Sequence, residues 1–173
     1  MTHTLWQITL ITCGWEIVSN SNDLAELKNY LNRQSYPSMP RIDAMFDCCY
    51  YFSEQNDSCW DEPECWHVGR HPKIQAEIVC SDYFPHALSE IRSLLGAYRS
   101  QRHMTLALVS ARGAKRAVAM AQLLETILTR CDKYVNIIHH SEWMNVWQWT
   151  ELCGRSIPHE NYHEFATAIF EAV

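Results

Sequence analysis

The sequence predicts an α/β protein. We expect a single three-layer domain with a mainly parallel sheet of four to five strands and helices on both faces. Three observations lead there. Short apolar runs such as Thr105-Leu-Ala-Leu-Val109 alternate with longer segments of helical periodicity, the pattern of strand–helix–strand crossovers. Those runs are continuously apolar rather than alternating, as strands covered on both faces require. In 173 residues no internal repeat or composition break marks a linker, so the chain reads as one domain over 1–173.

The elements follow in order. Residues 5–12, LWQITLIT, alternate and then turn wholly apolar, a strand ended by Cys13-Gly14-Trp15. Ser21 or Asn22 is placed to cap a helix over 23–33, whose Leu24, Leu27 and Leu31 share one face. A connector at 35–40 leads to Arg41–Phe52, which supplies a second strand ending near Asp47. Residues 53–72 are polar, turn-rich and dotted with tryptophan, and a loop of that length is usually functional or mobile. Lys73–Cys80 is too short to assign between helix and strand. Ser81 or Asp82 introduces a helix over 84–100, with Pro85 tolerated in its first turn. Its apolar face is Ala87, Leu88, Ile91, Leu94 and Leu95. A strand at 104–110 feeds a helix at 114–130, and 133–139 gives a fourth strand. Two closing helices are expected over 141–153 and 159–172, packed on the rest.

Composition excludes several classes. Hydrophobic residues make up 47% and charged residues 20%, which argues against disorder. The apolar runs are far shorter than a membrane span, and Met1–Leu10 lacks the basic start of a secretory signal. A soluble, cytoplasmic protein is expected. The net charge of −6 disfavours a nucleic-acid binder that relies on a basic surface. Eight cysteines without a signal peptide suggest a reducing compartment and free thiols. Cys59, Cys65, His67 and His71 have the residue types of a zinc site, but their spacing matches no zinc signature. We favour thiols in a loop and expect no metal or cofactor.

Ligands of parallel sheets bind beyond the carboxyl ends of the strands. Those ends are Thr12–Trp15, Asp47–Cys49, Ser110–Arg116 and His139–His140, so four segments deliver polar groups to one rim. The third is the most suggestive. A strand-to-helix turn exposes amides and the positive end of a helix dipole. Gly113 permits close backbone approach, and Arg112, Lys115 and Arg116 add charge. The candidate ligand residues are Ser110, Arg112, Gly113, Lys115, Arg116, Gly14, Asp47, His139 and His140. Asp47 is equally suited to capping a helix, and either histidine to closing a strand end.

Residues 110–116 have the spacing of the protein tyrosine phosphatase signature, Cys-x5-Arg, with Ser110 in the Cys position. Ser110-Ala-Arg-Gly-Ala-Lys-Arg-Ala-Val118 more closely resembles the C-terminal domain of the RapZ family of RNase adapter proteins. There the strand ends in Cys-Thr-Gly-Gly-x-His-Arg-Ser-Val before a long helix. The second Gly, the Arg and the Val are kept; the Cys, Thr, first Gly, His and Ser are not. Thr12-Cys-Gly-Trp15 stands where the family has a Ser-Phe-Gly-Phe-like turn. Phe46-Asp-Cys-Cys49 matches Phe-Asp-Val-Arg without the Arg, Asp61-Glu-Pro63 is shared, and Ile138-His-His140 replaces Arg-His-Arg. The likeness spans about residues 5–145. It implies a sensor domain that binds a phosphorylated amino sugar and, in the adapters, contacts RNA and protein. Gly113 and Arg116 would then hold phosphate, with Gly14 and His139 or His140 nearby and Lys115 in place of the His. The lost residues weaken the case for the same sugar and for RNA.

Phosphatase chemistry of this type needs a thiolate. Ser110 has a hydroxyl of much higher pKa with no evident base, so we expect binding without catalysis. The ligand would be a phosphorylated small molecule bound by a sensor or adapter. A degenerate or inactive cysteine-phosphatase-like enzyme, with Asp61 as acid, is one alternative. Another is an acidic protein-interaction or inhibitor module using Trp60 and Trp66 as its surface. Trp143 and Trp147 share a helix face and read as core.

Overall fold

In the computed structural model, residues 6–15, 23–34, 39–52, 69, 72–111, 113 and 115–140 are described. The elements are β1 (Gln7–Gly14), α1 (Leu24–Arg33), β2 (Ala44–Asp47), α2 (Cys48–Phe52), α3 (Pro72–Val79), α4 (Phe84–Ala97), β3 (His103–Ser110), α5 (Arg116–Arg130) and β4 (Tyr134–His140). The four strands form one all-parallel sheet in the order β2-β3-β1-β4. The expected α/β class holds, and the described residues supply four strands. The expected helices over 141–153 and 159–172 lie outside the described residues.

Side-chain parity divides the core. Ile8 and Leu10 of β1, Ala44 and Phe46 of β2, and Met104, Leu106 and Leu108 of β3 face α3, α4 and α5. Ile11, Cys13, Met45, Ala107 and Val109 face α1 through Leu27 and Leu31. Each strand thus buries both faces, which accounts for the unbroken apolar runs. α5 buries three small residues, Ala117, Ala119 and Ala121, completely.

Several boundaries correct the sequence reading. The cap of α1 is Asp23, neither Ser21 nor Asn22; its Oδ1 accepts the Ala25 N–H at 2.8 Å. β1 continues through Cys13 to Gly14. β2 stops at Asp47 as expected, and Cys48–Phe52, to which the sequence reading assigns no element of its own, is a short helix. Asp47 Oδ1 captures the Cys49 N–H at 2.8 Å and turns the chain out of the ladder. The undecided segment Lys73–Cys80 is helical through Val79. Before α4, Ser81 Oγ accepts the Tyr83 N–H at 3.3 Å, but Tyr83 occupies the cap position.

The topology fixes where a ligand would sit. β1 and β3 are neighbours, yet α1 after β1 and α5 after β3 cover opposite faces of the sheet. Where two such connections part, a crevice opens beyond the carboxyl ends of the adjacent strands. Here that point lies at Gly14 and Ser110, which are register partners.

Candidate functional site

The register brings the strand ends together. Gly14 pairs with Ser110, Cys13 with His140, Thr12 with His139, and Asp47 with Val109. Eight of the nine ligand candidates named from sequence therefore lie on or beside the β1 and β3 ends, or begin α5. Gly14, Ser110 and His139 share the α5-covered face. His140 falls on the α1 face with Cys13. Arg112 lies outside the described residues, as do Trp60, Trp66, Asp61-Glu62-Pro63 and the four loop residues with metal-ligand chemistry. Among the described residues no cluster of three or more His, Cys, Asp or Glu could hold a metal ion.

The loop from β3 to α5 is pinned at three points. Ser110, only 4% exposed, accepts the Gly113 N–H at 3.1 Å through its hydroxyl oxygen. Its role in the loop is to close the turn. Gly113 has φ +69°, and a Cβ there would stand 2.6 Å from Cys13 C and 2.7 Å from Gly14 N. The close approach that requires glycine is thus to the end of β1. The third tie comes from α2, just past β2. Cys49 Sγ accepts the Ala111 N–H at 3.1 Å, and the Arg116 charge acts on the same thiol.

α5 begins without a side-chain cap: Lys115 occupies that position and makes no capping bond. Gly69 packs on this first turn, where a Cβ would overlap Lys115 O and Ala119 N. Those two atoms form the first hydrogen bond of the helix, 2.9 Å long. Gln75 Nε2 donates to Gly69 O at 3.3 Å and holds the glycine in place.

Burial sets the thiol chemistry. Burial raises the Cys49 thiol, Asp47 raises it further, and the Ala111 N–H and Arg116 only partly oppose this. Cys48, fully buried, is pushed well up by burial, then by Cys49, Asp47 and Cys13. Burial takes Cys13 to about 12. At neutral pH these three are thiols, with none in the thiolate form that nucleophilic attack needs.

No protein-family model matches this chain, and a comparison with curated protein sequences returns no match. The functional reading rests on the residues themselves.

Asp47 is committed to the α2 cap through Cys49 N–H. His139 Nδ1 shares a hydrogen bond of 2.8 Å with Thr12 Oγ1. The sequence placed Thr12 and Cys49 within the rim segments without singling them out, and did not mark Gly69. Cys49 had one legible signal, its place two residues past a strand end. Thr12 had another, a hydroxyl in an apolar strand. Gly69 had none, because its constraint comes from a helix 46 residues further along. No helix of the described residues is long and apolar enough to cross a membrane.

Proposed function

We propose that the β3–α5 loop binds phosphate or a phosphorylated small molecule, and that the domain acts as a non-catalytic sensor or adapter. The observation that carries this is the convergence on Cys49 Sγ. The Ala111 N–H donates to it, and the Arg116 charge from the other end of the loop acts on the same thiol and lowers its pKa. A backbone donor and a cation focused on one atom beside an uncapped helix start suit an anion's oxygen better than a neutral thiol. The resemblance to the RapZ C-terminal domain favours the same ligand class. The protonated thiols and the buried Ser110 favour binding over phosphoryl-cysteine chemistry. A reducing cytoplasmic setting agrees with the free thiols of Cys13, Cys48, Cys49 and Cys80.

Thermal shift with inorganic phosphate, sugar phosphates and nucleotides tests the reading. At least one of these raises Tm in a concentration-dependent way, and Arg116→Ala removes the shift. A shift that survives Arg116→Ala would overturn the site assignment.

A further inference from the structure

We infer that Thr12 is a positioning residue that fixes the imidazole of His139 at the rim of the proposed anion site; this rests on the phosphate-binding reading above. Thr12 is fully buried in strand β1 and is the register partner of His139. Its Oγ1 and His139 Nδ1 are 2.8 Å apart. This pair lies one two-residue step below the Gly14–Ser110 pair on the same face of the sheet, about 7 Å along the strands.

A hydroxyl bonded to one ring nitrogen can donate to it or accept from it, so it serves either tautomer; what it fixes is the plane of the imidazole and with it the direction of Nε2. Satisfying a buried hydroxyl is not by itself the reason for the contact. Thr105 is also fully buried in this sheet, and its Oγ1 has no hydrogen-bond partner. β1 also contains an internal control. Thr9 Oγ1 lies 2.9 Å from His103 Nε2, a matching pair on the opposite face at the amino end of β3. The two clamps share their chemistry but only one reaches the carboxyl rim.

The test compares Thr12→Val, Thr12→Ser and Thr9→Val with the wild type by two readouts. The first is inorganic phosphate affinity by calorimetry, and the second is the imidazole 15N shifts of His139. Thr12→Val changes the His139 shifts and weakens phosphate on the order of threefold or more. Thr12→Ser restores both, and Thr9→Val changes neither. Unchanged His139 shifts in Thr12→Val, or equal phosphate losses in Thr9→Val and Thr12→Val, would overturn the inference. If the wild type bound no phosphate, the anion-site reading would fall, and the 15N shifts would still decide the role of Thr12.

Discussion

Ala111 donates its backbone N–H to the sulfur of Cys49 at 3.1 Å, joining the β3–α5 loop to the residues that follow β2. The Arg116 charge acts on the same thiol and lowers its pKa, against the larger effect of burial. In the proposed reading a phosphate oxygen would compete with the sulfur for the Ala111 N–H.

Cys49 variants separate these roles. Cys49→Ala removes the competing acceptor, so phosphate binds more tightly, by a few-fold, while stability falls by about 1 kcal/mol for the lost contacts. Cys49→Asp puts a carboxylate against Arg116 and abolishes phosphate binding. Calorimetry with inorganic phosphate and urea denaturation measure the two effects. Unchanged phosphate affinity in Cys49→Asp would remove the sulfur from the site.

Gly113→Ala combines two penalties. The residue sits at φ +69°, and its Cβ would meet backbone atoms of Cys13 and Gly14, which no side-chain rotation relieves. We expect a loss of about 2–3 kcal/mol in urea denaturation. Phosphate binding falls as well, because the displaced loop carries Ala111 and Arg116 with it. A fully stable Gly113→Ala protein would contradict the observed packing of the loop on β1.

The sequence made the central strands and α5 readable because their burial is uniform. Ile8–Cys13 and Met104–Val109 lie between two helical layers, so every position is apolar or a threonine. Cys48–Phe52 carries no helical signal, because Cys, Tyr and Phe suit a strand by propensity. The decisive contact is a side-chain bond from Asp47 to the Cys49 N–H, which ends the ladder after four residues. The rim was legible from topology alone, since strand ends of a parallel sheet must gather at one edge. The geometry inside it was not. That Gly113 faces β1 and that Cys49 meets Ala111 depend on contacts between segments distant in sequence, while the Ser110–Gly113 bond is local but turns on the conformation of the loop.

Gly69→Ala tests the support of the helix start. Its added methyl would overlap Lys115 O and Ala119 N, the atoms of the first hydrogen bond of α5. Backbone must move, so the first turn frays while the sheet persists. Amide hydrogen exchange should show loss of protection at Ala119, with the β1 and β3 amides retaining theirs. Phosphate affinity drops with the frayed turn. Retained protection at Ala119 would mean that residue 69 does not brace the helix.

Alkaline pH should expose the buried thiols thermodynamically. Burial raises Cys13 from 9.0 to about 12, and Cys48 rises well above the same 9.0. A raised folded-state pKa means that the folded protein holds these protons more tightly than the unfolded chain does. The stabilisation is complete below pH 9.0, the unfolded value, and is lost as pH rises toward about 12. Urea denaturation should therefore show thiol-linked stability level from pH 7 to 9 and falling steadily above it. Cys13→Ala shallows the decline, and Cys13→Ala with Cys48→Ala shallows it further, at the cost of a lower plateau from the lost packing. An identical alkaline slope in the double variant would assign the loss to other groups. Maleimide labelling gives the matching kinetic picture: Cys13 and Cys48 react only on unfolding, while half-buried Cys49 reacts in the native state, and more slowly when phosphate is bound.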